Sequence, residues 1–453
     1  MNRIIIIGNG FDKAHGLATG YKDFIDNYWL NVSGHIFNGY KRLLEEHWGT
    51  INDPSPYEDE FVLFEVFRDK QHKMPEPLYP QSNSSPYNKV RELIAIFNDS
   101  TNMRYKSSVC LTFKNKFFEH ISSRCSLNNW VDIENEYYGK LKELLLENDA
   151  LIRNEKVRAL NRDFDAVKKQ LETYLTKVVQ ETQTKPFTSI REAFDSIIAP
   201  NEVAYGKQPE AFHSITDQMR QSDFTEGRWS QMRVYMDNLL CRFKGKPRQH
   251  YVQSQLKYDA FKKKYYTPKQ TLILNFNYTS TAEHLYAKEY EVINIHGQLN
   301  NERNPIIFGY GDELDDDYKR IEKLQDNDFL ENIKSVRYHE TGCYRKLLGF
   351  IESEPYQVIT MGYSCGNSDR TLLNTLFEHR NCISVKVCYH QREDSTDDYS
   401  HLIRNLSRNF NDKAAMRDKV VNKEYCLPLV PIAVREIQPV SYTHLTLPTN
   451  REV

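Results

Sequence analysis

Four short polar stretches, each directly after an apolar run rich in β-branched residues, are where this sequence gathers groups able to do chemistry. They are Gly8-Asn9-Gly10-Phe11-Asp12 after Ile4–Ile7, Asn275-Phe276-Asn277-Tyr278-Thr279 after "TLIL", His296-Gly297 after "EVINI", and Gly362-Tyr363-Ser364-Cys365-Gly366, followed by Asp369, after "QVITM". A buried strand that runs into a glycine turn and then a helix is a common meeting place for phosphate and backbone N–H groups. Gly8 and Gly10 permit the backbone angles of such a turn. The spacing is G-x-G with a later Gly16, not G-x-G-x-x-G, so a tight turn after a first core strand explains it equally well. His296, with an ordinary pKa of about 6.5, is a proton acceptor near neutrality. Each stretch also has a plainer explanation. Asn277 and Thr279 could cap the following helix, His296 could be a satisfied buried histidine, and Gly362 and Gly366 could be turn glycines. Four separate explanations on four strands of one sheet persuade less than one shared site.

The elements that must carry these stretches alternate in type. From about Gln270 the pattern reads strand "TLILNFN", helix "TAEHLYAKE", strands "EVINIHG" and "NPIIFGYG", helices "DDDYKRIEKLQ" and "GCYRKLLGFIE", strand "YQVITMGYS", helix "SDRTLLNTLFEH" and strand "CISVKVCYH". Such alternation predicts an α/β fold, a parallel sheet with helices on both faces, whose ligands sit at the carboxyl ends of the strands. Ile4–Ile7 belongs to this sheet, since a lone apolar strand needs one to be buried. Residues 1–30 plus 265–430 are therefore expected to form the core. Residues 31–264 are expected to form a large insertion, first loop-rich ("INDPSPYEDE", "YPQSNSSPYN", with "KVRELIAIF" as a short helix) and then helical. Its helices are "TGYKDFIDNYWL" at its edge, "LTFKNKFFEHIS", "NNWVDIENEYYGKLKELLLEN", "EKVRALNRDFDAVKKQLETYLTKVVQET", "SIREAFDSII" and "WSQMRVYMDNLLCRF", by their three-and-four apolar spacing.

Composition narrows the function classes. The 453 residues are 40% hydrophobic and 27% charged with net charge −2, which gives no electrostatic footprint for nucleic acid. No apolar run approaches the roughly 20 residues of a membrane span, and Ile4–Ile7 is too short for a secretory h-region, so a cytoplasmic protein is expected. None of the eight cysteines forms a C-x-x-C pair, which argues against a four-thiolate zinc site and for reduced thiols. The ending "SYTHLTLPTNREV" resembles the translation of a sequencing adapter, and residues 440–453 are expected to be a non-native tail.

Several of these segments resemble one family. "IIIIGNGFDKAHGLATGYKDF" is similar to the opening of the bacterial AbiH family, associated with abortive infection against bacteriophage. "NNWVDIENEYYGKL", with Trp130 and Glu134, resembles its Trp-x-x-x-Glu segment, and "NFNYT", "NIHG" and "GYSCGNSD" resemble further segments. The likeness covers roughly 1–30, 125–140 and 270–380. More distantly, the order of motifs is similar to that of the sirtuins, which implies a Rossmann-like, sirtuin-like NAD-binding fold. Carried over, Gly8, Gly10 and Gly16-Leu17 fall on the sirtuin glycine-rich turn, Asn277 on the asparagine beside the nicotinamide ribose, and His296 on the catalytic histidine. Gly362 and Ser364 fall on the turn that holds the adenosine half, and Thr279 stands where the sirtuins have aspartate. The missing zinc cysteines argue against protein deacylation.

The resemblance implies an antiphage effector that binds and hydrolyses NAD, with Asn277 and His296 catalytic and no metal. Asn9, Phe11, Asp12, Asn275, Gly297 and Asp369 would join Gly8, Gly10, Gly16, Thr279, Gly362 and Ser364 in holding the nucleotide. Cleaving the nicotinamide–ribose bond passes through an oxocarbenium-like state, and general-base help from His296 is typically worth ~100- to 10,000-fold. Ser364 and Asp369 could equally cap the next helix. Glu134, on an amphipathic helix, is expected in solvent, with a turn toward the cleft as its minority reading. Expected partners are NAD or a related nucleotide, a phage-derived trigger and further copies of the chain. The alternatives are a non-catalytic nucleotide sensor and a metal-dependent nuclease built on "GDELDDD" at 311–317, which a solvated helix start explains better.

Overall fold

The computed structural model describes residues 1–45, 57–68, 84–97, 107–208 and 266–432. The helix expected at "WSQMRVYMDNLLCRF" and the tail 440–453 lie outside these residues.

Five strands form an all-parallel sheet: β1 (Asn2–Ile7), β5 (Thr271–Asn275), β6 (Glu291–Asn294), β7 (Tyr356–Met361) and β8 (Cys382–Cys388), in the order β6-β5-β1-β7-β8. The central strand β1 pairs Ile4 with Leu272 on one side and Val358 on the other. All six of its residues are buried, as expected of a strand covered on both faces. Ile4 and Ile6 face a core with Leu347, Ile351, Leu372 and Leu376, from α11 (Cys343–Ser353) and α12 (Arg370–Glu378). Ile5 and Ile7 face Ile190, Phe194, Ala282 and Tyr286, from α7 (Thr188–Asp195) and α8 (Thr281–Tyr286). Helices therefore cover both faces.

Between β1 and β5 in the chain come α1 (Asn9–Ala14), α2 (Tyr21–Glu45), β2 (Tyr57–Glu58), β3 (Val62–Arg68), α3 (Pro86–Phe97), β4 (Ser107–Phe113), α4 (Lys116–Asn128), α5 (Ile133–Leu144), α6 (Ala150–Glu181) and α7. The stretch expected to be loop-rich thus carries an antiparallel sheet, β2-β3-β4. "FVLFEVF" supplies the strand; its Phe61, Val62 and Phe64 are buried against Trp29 and Phe118. Asn115 caps α4 by accepting from the Phe118 N–H at 2.7 Å, so "LTFKNKFFEHIS" is half strand and half helix. The expected strand "NPIIFGYG" is not one: among its residues only Tyr310 makes a bridge, to Ile333.

Long α6 starts at Asp149, whose side chain accepts from Leu151 and Ile152 N–H. Its Phe164, Val167 and Leu171 share a core with Tyr137 of α5 and with Tyr278, Phe308 and Tyr310. The helical layer is thereby seated on loops that leave the parallel sheet. No described helix is long and apolar enough to cross a membrane, and no described cysteine is in a disulfide.

Candidate functional site

Chain order reverses beside β1, between β5 and β7, where doubly wound sheets open a crevice at the carboxyl edge. Here three strand exits are stitched together. Gly10 N–H donates to the Gly362 carbonyl at 2.7 Å, and Gly8 N–H to that of Met361 at 3.3 Å. Asn277 Nδ2 donates to the Gly8 carbonyl at 3.0 Å. The contact demands glycine at 362: its φ is +60°, and a Cβ there would lie 2.1 Å from Phe11 N. Tyr363 packs over Gly8, where a Cβ would come within 2.5 Å of its ring.

Behind this seam lies a buried carboxylate. Asp12, 0% exposed, accepts from Thr279 Oγ1 at 2.6 Å, and Thr281 Oγ1 donates to Thr279 Oγ1 at 3.2 Å. The second oxygen, Oδ1, has no hydrogen-bond partner. Burial pushes the Asp12 carboxyl up to about 6, although Thr279, Thr281 and Asn277 oppose that shift. Asn275 is saturated by the protein: its Nδ2 donates to the Thr279 carbonyl and Asn294 Oδ1, and its Oδ1 accepts from Asn277 N–H. It shapes the loop that presents Asn277 and Thr279.

The third centre contains His296. Its Nε2 lies 3.2 Å from Asp369 Oδ1 and 3.2 Å from the Tyr338 hydroxyl, and the Phe276 carbonyl bonds the same ring. Phe276 also meets it edge-on, at 4.8 Å between ring centroids. Asp369 accepts from the Tyr363 hydroxyl at 2.7 Å and from Lys334 Nζ at 2.7 Å. Lys334, on α10 (Lys334–Arg337), is 1% exposed and holds both Glu134 oxygens, at 2.9 and 3.0 Å. Gly309 N–H donates to Glu134 at 3.1 Å.

Burial and ion pairing divide the electrostatics of this cluster between them. Burial pushes Glu134 up to about 7 against the pull of Lys334. It lowers His296, with Lys334 acting in the same direction and Asp369 against. Burial would raise Asp369 too, but Lys334 and His296 outweigh it and hold the carboxyl well below its usual range. Likewise the two carboxylates outweigh desolvation at Lys334 and raise it. A protonated imidazole satisfies both the Phe276 carbonyl and Asp369, whereas a neutral one satisfies a single acceptor; burial favours the neutral form. Burial and Lys334 thus outweigh the two acceptors and favour the neutral ring, while Glu134 is raised to about 7.

A family model described as bacteriophage abortive infection AbiH matches residues 4–390. The chain belongs to the AbiH family. That membership gives this AbiH protein a role in abortive infection by bacteriophage. No curated protein and no solved structure was found to match it.

Of the residues singled out in the AbiH sequence, the structure gathers Gly8, Gly10, Asp12, Asn275, Asn277, Thr279 and Gly362 along the seam, and His296 with Asp369 next to it. Phe11 is core, packed on His15 at 4.4 Å between centroids. Gly297, with φ +80°, forms the turn after His296, and a Cβ on it would meet the Pro305 carbonyl at 2.1 Å. Asn9 is exposed at the start of α1, and Gly16 is exposed in the turn after it with φ +90°. Ser364 is exposed, its carbonyl accepting from Asn405 Nδ2 at 2.9 Å. Glu134 is buried, not solvated, whereas Trp130 of the same segment is 64% exposed. Lys334 went unnoticed in the sequence. The acidic run at 311–317 is a helix start: Asp315 caps α9 (Asp316–Lys323) and Asp312 pairs with Arg370 at 3.2 Å. Among the described residues no group of three His, Cys, Asp or Glu is placed to hold a metal ion.

Proposed function

We propose that this AbiH protein is an abortive-infection effector that binds NAD at the carboxyl edge of its parallel sheet and hydrolyses the nicotinamide–ribose bond. The observation that carries the reading is the His296–Asp369 pair, 3.2 Å apart and buried beside the exits of β5, β1 and β7. In the reaction the C–N bond breaks with its electron pair going to nicotinamide, water adds to the ribose carbon, and a proton is released. His296 accepts that proton, and Asp369 stabilises the imidazolium so formed. Asn277 orients the attacking water or a ribose hydroxyl, and opening of the seam would bring buried Asp12, with one oxygen unpartnered, within reach of a second hydroxyl. The strand order β6-β5-β1-β7-β8 is compatible with a Rossmann-like sheet, and the order of motifs supports the more distant sirtuin likeness. A phage-derived trigger and self-association would then control access.

The test is nicotinamide release from NAD by the purified protein, with His296→Ala and Asn277→Ala alongside. Release that survives both substitutions refutes the mechanism. A second reading, a non-catalytic nucleotide sensor, draws support from the seam itself, because Gly10, Gly362 and Asn277 satisfy one another across the crevice. Calorimetric binding of NAD without turnover under any trigger would favour it.

A further inference from the structure

A cavity of about 360 Å³ lies where β5 and β6 end, next to the centres described above. Tyr278 lines it, one residue beyond Asn277. So do Gln298, Leu299 and Asn300, which begin two residues beyond His296. The opposite wall is the last part of α6, through Thr176, Val179 and Gln180. The cavity is thus built jointly by sheet exits and by a helix from the long segment between β1 and β5.

Its chemistry is selective in three ways. None of its lining residues is ionisable near neutrality, and with no Lys or Arg among them a phosphate would find no counter-charge. Val179 and Leu299 offer aliphatic surface, while Gln180 and Asn300 offer carboxamides. The Gln180 side chain makes no hydrogen bond to another described residue, and that of Asn300 makes one, donating to Thr176 Oγ1 at 3.3 Å. The volume lies at the lower end of the roughly 300–1,000 Å³ of small-molecule sites, which suits one ring system with its sugar better than a whole dinucleotide. We infer that this cavity receives one ring of the ligand, a planar ring that bears a hydrogen-bond donor and acceptor side by side. Gln180 and Asn300 pair with its donor–acceptor edge, and Val179 and Leu299 pack on the ring. Adenine and nicotinamide both present that chemistry. The inference takes its ligand from the NAD reading, but the cavity is separate from the His296 centre.

Calorimetry on the full chain with adenosine, nicotinamide and pyrophosphate tests it, using wild type and the double variant Gln180→Ala/Asn300→Ala. Both side chains are exposed at the cavity, so the double variant should fold, and its urea midpoint checks this. Binding of adenosine or nicotinamide, but not pyrophosphate, that weakens at least about tenfold in the double variant is expected, the scale of one or two hydrogen bonds. Which ring binds identifies the half of NAD involved. Neither ring binding, or equal binding by wild type and double variant, overturns the inference. The hydrolase reading fails separately: ring binding of the expected kind with no nicotinamide release from NAD removes catalysis and leaves the cavity assignment standing. Release at sub-saturating NAD that is identical in the double variant does the reverse.

Discussion

Replacing Lys334 by methionine keeps most of the length of the side chain and removes the one charge that binds two buried carboxylates. At 2.7 Å from Asp369, and with an effective dielectric of about 20, the gross attraction is about 6 kcal/mol. Glu134, at 2.9 Å, adds a similar amount. Desolvation of the ammonium offsets several kcal/mol of this, and removing one partner of a buried pair typically destabilises by about 3–5 kcal/mol because the survivors are left uncompensated. The variant can recover part of the loss by protonating Glu134. That group already sits at about 7 in the native protein, and losing Lys334 raises it further. A carboxyl raised on folding favours the folded state at low pH and loses that contribution as pH rises through its folded value. The gap between wild type and Lys334→Met should therefore be widest near pH 8 and narrow toward pH 5.5.

Urea unfolding at those two pH values, followed by circular dichroism and tryptophan fluorescence, measures the gap. Glu134→Gln added to Lys334→Met should restore part of the stability at pH 8, because it removes one of the two stranded charges. The His296 ring should also titrate at higher pH in Lys334→Met, since Lys334 lowers it in the native protein; nitrogen-15 spectra of the imidazole report this directly. A loss below about 1 kcal/mol at both pH values, or a double variant no more stable than the single one, would refute the cluster as described.

Three further outcomes are expected. Asp12→Asn should be more stable than wild type at pH 8, by up to about 3 kcal/mol at 1.36 kcal/mol per tenfold, because the folded carboxyl is raised from 3.8 to about 6. The gain should vanish below pH 3.8, where Asp12 is protonated in both states, and a variant less stable throughout by urea titration would contradict it. Arg3→Met removes five hydrogen bonds, to Gln357 and to the Ala193, Phe194 and Ser196 carbonyls, and should lower stability by about 3–5 kcal/mol. Any NAD turnover per folded molecule should be unchanged, since Arg3 is remote in register from the carboxyl edge. Gly362→Ala places a methyl 2.1 Å from Phe11 N and 2.3 Å from the Gly10 carbonyl carbon. A yield of soluble, cooperatively unfolding protein equal to wild type would show that the seam can open.

The five parallel strands were legible because each is short and rich in Ile, Val or Leu, as suits a strand buried on both faces. Strand order was not, since it depends on which edges meet in space. "NPIIFGYG" has the composition of a strand, but Gly309 sits against the Asn332 carbonyl, where a Cβ would come within 2.0 Å. The chain there packs on a loop instead of joining a ladder. Glu134 could have been recognised: it lies three, four and seven residues before Tyr137, Tyr138 and Leu141, all buried on one stripe of α5. A carboxylate on that stripe must be paired. Lys334 offered no comparable signal, because α10 has four residues, too few to show a period.

Two buried charge networks flank this sheet, and their difference argues for where function resides. At the amino edge Arg3, Gln357, Glu202 and Lys386 form a chain that ends on backbone carbonyls. Burial lowers Arg3 only to about 10, so its charge is fixed at every physiological pH, and the network acts as a structural tie for α7. At the carboxyl edge Lys334 binds both Glu134 and Asp369, Asp369 also binds His296, and burial raises Glu134 to about 7 and lowers His296. Hydrophobic residues of similar volume would commonly hold such a joint as well or better. The first network is thus fixed in charge, whereas the second includes a carboxyl raised to about 7, and it is the second that bears on the chemistry proposed for His296.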